Sequence, residues 1–183
     1  MTSAYRPEFE AALRLFARVS EAMKVRGFLA PVLVGGAAVE IYSLSAINTG
    51  DFDISTGAQD TFEEILQAHG FIRPSGAGMA TRGWMHAELK LGFEVVSSTL
   101  LNGMAERERT ILLDFAPDGE VAVLSVEDII ADRMGQFASG TAQEMREQAR
   151  QLFILHNDAD LGYMDARIKF ESGGDYGVAD LKK

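Results

Sequence analysis

Residues 32–55, VLVGGAAVEIYSLSAINTGDFDIS, constrain the fold more than any other stretch of the sequence. A short apolar run ends in two glycines, a helix-forming stretch follows, and an alternating segment then begins with two aspartates. This order predicts a strand, a tight turn, a helix and a second strand, with polar groups gathered where the strand ends meet. Such a place can hold a phosphate group and a metal ion.

The composition is that of one compact globular unit. The 183 residues, 47% hydrophobic and 24% charged, are enough to bury a single core. Cysteine is absent, which excludes disulfides, thiolate metal sites and a cysteine nucleophile. The net charge of −10 disfavours nucleic acid as a general partner. No apolar run approaches the roughly 20 residues of a membrane span, and no secretion pattern opens the sequence, so we expect a cytoplasmic protein without a membrane partner.

Hydrophobic periodicity predicts a mixed β-sheet flanked by helices, an α+β fold. Helices are expected over 7–25, 37–44, 61–70 and from Ser125 onwards, and strands over 28–34, 51–55, 70–74, 83–90, 92–99 and on both sides of the PDG turn at 117–119. We expect one main domain over residues 1–138 and a C-terminal helical extension over 139–183 packed on the same unit. The last eleven residues are expected to be poorly ordered.

The acidic pair is the strongest chemical signal. Side chains at i and i+2 of a strand share a face, so Asp51 and Asp53 project together while Phe52 and Ile54 point to the core. Two carboxylates this close repel unless one is protonated or a cation lies between them. Hard oxygen ligands suit Mg²⁺, which completes its shell with water and substrate phosphates. Glu94, in the apolar strand GFEVVSS, is the candidate third carboxylate.

Gly35 and Gly36 stand where the first strand turns into the helix. Glycines at such a turn leave backbone N–H groups free to meet an anion, helped by the positive end of the helix, and Gly36 lets a phosphate approach the main chain. The segment lacks the GK[ST] of a P-loop and the third glycine of a dinucleotide fingerprint.

Together these residues resemble the nucleotidyltransferase superfamily, with Gly35-Gly36 ending the first strand, Asp51-Phe52-Asp53 on the next, and Glu94 on a later one. The sequence is similar to small bacterial nucleotidyltransferase-like proteins related to abortive-infection and toxin–antitoxin enzymes. The resemblance implies two Mg²⁺ ions held by Asp51, Asp53 and Glu94, and transfer of a nucleoside monophosphate from a nucleoside triphosphate to an RNA end or a protein side chain. It also implies a possible role as the toxin of a defence module with a cognate partner protein.

The sequence departs from that pattern at two places. Relatives often carry a basic residue shortly before the acidic pair, where this chain has INTG, and a lysine in the helix after the sheet, where it has Arg133. Arginine can grip phosphate with two donors, although a surface salt bridge is an equally good interpretation. These departures leave a second hypothesis open: a catalytically weak or inactive nucleotide-binding regulatory protein, an antitoxin-like partner.

Four weaker signals have ordinary structural interpretations. Asp114 is an alternative third acid but also a natural turn cap. Trp84 and His86 could line a base-stacking pocket or belong to the core. The basic segment 146–150 could contact RNA or form a solvated helix face. A phosphohydrolase would need a histidine near the metal, and none of the three histidines has a metal-ligand spacing.

Overall fold

The structure, a computed structural model, describes residues 4–74, 83–89 and 91–182. Within them the helices are α1 Pro7–Val25, α2 Gly35–Tyr42, α3 Gln59–Ala68, α4 Val126–Ala138, α5 Met145–Leu155 and α6 Leu161–Glu171. The strands are β1 Val32–Val34, β2 Asp51–Ser55, β3 Phe71–Ile72, β4 Trp84–His86, β5 Gly92–Ser97, β6 Ile111–Asp114 and β7 Glu120–Val123. The predicted α+β class is confirmed.

The described strands form one mixed sheet in the order β3-β4-β5-β2-β1-β7-β6. Strand β2 lies between β5, to which it runs parallel, and β1, to which it runs antiparallel. The hairpin predicted around PDG is β6 and β7, and the predicted antiparallel pair is β4 and β5. The acidic strand β2 is therefore at the centre of the sheet, with neighbours on both sides.

Aromatic packing fixes which face of the sheet is core. Phe52 of β2 stacks on Phe93 of β5 with ring centroids 4.7 Å apart, and Phe16 of α1 meets both rings. All three side chains are fully buried. Helix α1 carries the apolar spacing that the sequence predicts, and Phe62 of α3 packs edge-on against Phe16. Since β2 residues alternate, Asp51 and Asp53 point to the opposite face.

The C-terminal helices pack around α4, which contacts both α5 and α6. A buried ion pair joins two of them: Arg167 Nε donates to Asp128 Oδ1 at 2.8 Å. Ser125 caps α4 as predicted, since its Oγ accepts from the Asp128 N–H. The second half of the expected capping box is wrong, because the Asp128 carboxylate instead receives the Ser125, Tyr163 and Arg167 side chains.

Three other expectations need correction. The first strand covers only Val32–Val34 rather than 28–34, and α2 begins at Gly35 itself, two residues before the predicted start. The tail is ordered through residue 182, with Val178 and Leu181 buried against α5 and α6. Its apolar residues are too few to form a periodic pattern, which is why the sequence does not reveal this docking. Among the described residues, no helix is long and apolar enough to cross a membrane.

Candidate active site

Asp51 and Asp53 lie on the same face of β2, as the alternation predicts, but in different environments. Asp51 is exposed and Asp53 is half-buried. Phe52 and Ile54, which alternate with the two aspartates along β2, are fully buried. The register of β2 is therefore fixed by its apolar face. The core thus holds the main chain that carries both carboxylates.

The Gly35–Gly36 turn lies directly against Asp53. Gly35 has a φ of +56°, and a Cβ at this position would be 2.0 Å from Asp53 Oδ2. The Gly36 N–H donates to the same Oδ2 at 3.3 Å. The sequence-based expectation that this amide is free to meet an anion is therefore wrong, because its anion is Asp53. Gly35 is needed here for the close approach of that carboxylate.

Glu94 is the neighbour of Asp53 on β5. The two residues are register partners on adjacent parallel strands, which are about 4.8 Å apart, so their side chains share a face. Glu94 is half-buried. The structure therefore brings together the three carboxylates that the sequence predicts, on one face of two central strands.

A cleft of about 380 Å³ opens between this face of the sheet and α4. That volume is typical of small-molecule sites. Its lining residues are Val34, Gly35, Asp53, Val96, Ser97, Leu101, Asn102, Leu124, Asp132, Arg133 and Gln136. Asp51, Glu94 and Gly36 are outside this set, so Asp53 is the predicted acid that enters the cleft.

Arg133 reaches the cleft from α4 and is largely buried, with 6% of its surface exposed. Its Nη1 donates to Gln136 Oε1 at 3.2 Å and lies 3.5 Å from Asp132 Oδ2, while its Nε is buried with no hydrogen-bond partner. The salt bridge in the alternative interpretation of Arg133 is present, with Asp132, but the guanidinium is buried rather than on the surface. A buried guanidinium with a spare donor suits an anionic ligand.

Burial raises the pKa of the Asp53 carboxyl above its ordinary value, and the charges of Asp51 and Glu94 raise it further. The Gly36 N–H and the charge of Arg133 act against this rise. Burial is the largest of these effects, so the charged form of Asp53 is disfavoured mainly by its loss of contact with water. A cation placed beside this carboxylate would favour the charged form again.

The described residues contain no group of three or more His, Cys, Asp or Glu side chains placed to hold a metal ion. The oxygen donors nevertheless suit a hard cation, and Mg²⁺ sites in proteins are commonly completed by water and substrate phosphates. The carboxylate oxygens at Asp53 and its neighbours therefore suit Mg²⁺. In the described part of the chain, however, three carboxylates are not already arranged to hold the ion.

Sequence reasoning missed several cleft residues. Asp132 and Gln136 are joined by a 2.9 Å hydrogen bond, and Gln136 follows from Arg133 by the i,i+3 spacing of a helix, so the assignment of Arg133 could have pointed to Gln136 but not to the adjacent Asp132. Leu101 and Asn102 have positive φ values of 43° and 58°. Non-glycine residues in this conformation concentrate at ligand sites, but no sequence signal reveals it.

The structural interpretations hold for Asp114, Trp84 and His86, whereas segment 146–150 is not a solvated helix face, since Arg146 is half-buried and Ala149 is fully buried. Asp114 accepts from the Ala116 N–H at 2.8 Å as a turn cap, on β6, three strands away from β2. Trp84 is 6% exposed, and the His86 ring packs on Phe71, so both belong to the core side of β4. Arg146 donates to the carbonyl of Asp180 and therefore holds the C-terminal segment.

The fold of this chain is similar to that of a solved nucleotidyltransferase. The solved structure of the antibiotic-resistance factor ANT(2'')-Ia, an aminoglycoside nucleotidyltransferase with substrate-regulated conformational dynamics, matches this chain with a TM-score of 0.53. The match covers 88% of this chain and 91% of that one at 14% sequence identity, so the likeness shows the fold alone. The sequence matches no protein-family model and no curated protein.

Proposed function

We propose that this protein is a Mg²⁺-dependent nucleotidyltransferase, which moves a nucleoside monophosphate from a nucleoside triphosphate to an acceptor. The setting of Asp53 is the observation that carries the proposal. This carboxylate contacts the glycine turn, lies beside Glu94 on the sheet, and enters a cleft that it shares with Arg133. A nucleotidyltransferase needs these three elements to hold and polarise a triphosphate.

Asp51, Asp53 and Glu94 are the residues that would hold two Mg²⁺ ions, because carboxylate oxygens are the ligands that this cation prefers. Bound there, Mg²⁺ would neutralise the triphosphate and favour an acceptor oxygen in its deprotonated form. Glu94 is also placed to receive the acceptor proton, since it lies one strand away from Asp53.

Arg133 is assigned to the triphosphate. Its buried, unpaired Nε and its position opposite the sheet allow it to donate to phosphate oxygens without first leaving a strong ion pair. Gly35 contributes by leaving room for the Asp53 carboxylate at the edge of the cleft, where a Cβ would displace it, and the Gly36 N–H holds the same carboxylate.

Calorimetric titration tests this proposal. Each of the four ribonucleoside triphosphates is added, with and without Mg²⁺, to the wild type and to the Asp53→Asn, Glu94→Gln and Asp114→Asn variants. We expect Mg²⁺-dependent binding by the wild type, a loss of about tenfold or more in the first two variants, and no change in Asp114→Asn, whose carboxylate caps a distant turn. Equal losses in Glu94→Gln and Asp114→Asn would remove Glu94 from the site.

The acceptor is proposed to be an RNA end or a protein side chain, as expected for a toxin with a cognate partner. The net charge of −10 favours the protein acceptor. Transfer of label from an α-labelled triphosphate to separated RNA and protein fractions distinguishes the two, with Asp53→Asn as the control. Label in neither fraction would contradict both acceptors.

One observation favours a second candidate, a nucleotide-binding regulatory protein without catalysis. The described carboxylates do not form a group placed to hold a metal. This candidate predicts triphosphate binding that depends on Arg133 but not on Mg²⁺, whereas the transferase predicts binding that depends on both. The titrations with and without Mg²⁺ therefore separate the two functions, and an Arg133→Met variant should bind more weakly in either case.

A further inference from the structure

A buried ion pair between Arg6 and Glu40 lies behind the acidic strand. The Glu40 carboxylate, in the middle of α2, is fully buried. Arg6, which precedes α1, donates from Nε to Glu40 Oε1 at 2.6 Å and from Nη2 to Oε2 at 3.1 Å. A buried pair of this kind adds little net stability compared with apolar residues of the same shape, so its contacts rather than its energy indicate its role.

Those contacts converge on the segment that joins α2 to β2, residues 43–50. Ser45 Oγ donates to Glu40 Oε1 at 2.9 Å, and the Thr49 N–H donates to Oε2 at 2.6 Å. Arg6 Nη2 donates to the Thr49 carbonyl at 2.6 Å, and the Arg6 N–H donates to Ser45 Oγ at 3.2 Å. The pair thus holds the segment near both of its ends, at Ser45 and at Thr49.

These contacts are needed because two residues of the segment have an unfavourable backbone conformation. Leu44 and Ser45 have φ values of 50° and 62°, the left-handed region that costs a non-glycine residue free energy. Residues held in this way relax when the surrounding contacts are removed. Loss of the ion pair would therefore release the conformation of residues 43–50.

Thr49 connects this segment to the candidate site. Its Oγ1 donates to the Asp51 carbonyl at 3.0 Å. The same Oγ1 lies 2.5 Å from where a Cβ on Gly36 would be, and the Gly36 N–H holds Asp53. Thr49 is therefore in contact with the start of the acidic strand and with the turn that orients its second carboxylate.

We propose that Arg6 and Glu40 are positioning residues, which set Asp51 and Asp53 through Thr49. The pair does not touch the substrate itself, because both charges are satisfied within the protein. The part of this inference that concerns nucleotide binding rests on the proposed function, whereas the part that concerns residues 43–51 does not.

Hydrogen exchange tests the structural part. Amide exchange over residues 43–51 is compared in the wild type, Arg6→Met, Arg6→Lys and Glu40→Gln, with Arg14→Met as the matched control. Arg14 lies on α1, the helix that Arg6 precedes, and is likewise paired, with Glu10 and Asp118. We expect about tenfold faster exchange at Thr49 and Asp51 in Arg6→Met and Glu40→Gln, partial protection in Arg6→Lys, and no change there in Arg14→Met.

Titration with triphosphate and Mg²⁺, below the unfolding transition of every variant, tests the functional part. We expect about tenfold weaker Mg²⁺-dependent binding in Arg6→Met and Glu40→Gln, and no further loss in the double variant, because the two residues act as one unit. Arg14→Met should bind as the wild type does.

The outcomes separate the two proposals. If wild type binds no triphosphate, the proposed function is contradicted and the exchange data alone decide the positioning role. If folded Arg6→Met exchanges and binds like wild type, or if Arg14→Met loosens residues 43–51 equally, the positioning role is overturned. Should Arg6→Met not fold, Arg6→Lys and Glu40→Gln give the same decision.

Discussion

The environment of the Asp53 carboxyl group disfavours its ionised form. Burial and two neighbouring carboxylates raise its pKa, and the Gly36 N–H and Arg133 only offset this in part. In the proposed site a bound cation would offset these effects, whereas the protein without a cation is destabilised by them. The sign of this effect can be measured.

We expect Asp53→Asn to be more stable than the wild type at pH 7. Because the folded pKa is raised, the folded state binds its proton more tightly than the unfolded state, whose pKa is about 3.9. The contribution of Asp53 to stability is therefore full below the unfolded pKa and is lost as pH rises through the folded pKa. Urea unfolding at pH 7 and pH 4 should show a gain at pH 7 that disappears at pH 4.

The control for this experiment is Asp118→Asn. The hydrogen bond from Arg18, followed by that from Arg14, lowers the pKa of Asp118, so the same substitution should have the opposite sign at pH 7. A destabilised Asp53→Asn at pH 7 would contradict the electrostatic description of the site.

Gly35 offers a second test at the same scale. We expect Gly35→Ala to destabilise the protein by roughly 3–5 kcal/mol, because a left-handed alanine costs about 1–3 kcal/mol and its Cβ would displace Asp53. Gly27→Ala is the matched control: its φ is +83°, and a Cβ there meets no atom within 4 Å. Equal losses in urea unfolding would mean that Asp53 yields its position freely.

Sequence reasoning succeeds at this scale where the relevant partners follow a local period. The shared face of Asp51 and Asp53 follows from strand alternation, and Phe52 and Ile54 fix it. The Arg6–Glu40 pair could not be predicted in the same way, because its members are 34 residues apart and the apolar run around Glu40 does not indicate which cation pairs with it.

At the scale of elements, α4 forms the wall of the cleft that faces the sheet. It presents Arg133 to the cleft while its Asp128 is fixed to α6 through Arg167. The Asp128 and Arg167 side chains are 0% and 6% exposed. The orientation of α4 over the sheet therefore depends on a buried charge from another helix.

We expect Arg167→Met to cost about 3–5 kcal/mol in urea unfolding, since it leaves the Asp128 carboxylate buried without its cation. The control, Lys169→Met, breaks an exposed pair on the same helix, where Lys169 Nζ lies 2.6 Å from Asp165 Oδ2. Pairs of that kind contribute about 0–1 kcal/mol. Similar losses in the two variants would show that Asp128 finds other partners.

The existence of nearly all the elements could be predicted, but their ends and their packing could not. Residues 7–25 and 51–55 match the structure in full, because long amphipathic helices and alternating strands carry strong periods. Residues 28–31 are apolar without being strand, and Asp128 left the expected capping box because a distant arginine competes for it. Such tertiary contacts override local signals.

At the scale of the whole molecule, one face of the sheet is core and the other is shared between core and cleft. Helices α1 and α3 cover the aromatic face, while α4 stands away from β2 and β5 far enough to leave the cleft beside Asp53. The C-terminal segment packs on the helices that follow α4, since Leu181 is buried against α5 and α6. The helices after residue 138 are thus expected to unfold together with the sheet.

Leu181→Ala tests that expectation. Removing a buried leucine side chain should cost about 2–5 kcal/mol, whereas Leu155→Ala, at a position 57% exposed on α5, should cost about 0.5 kcal/mol or less. If residues 139–182 are part of one cooperative unit, Leu181→Ala shifts a single unfolding transition, seen alike by far-UV dichroism and by the fluorescence of Trp84 in the sheet. If instead the dichroism signal splits while the Trp84 signal keeps its midpoint, the C-terminal helices unfold separately, and α4 alone would have to hold Arg133 over the cleft.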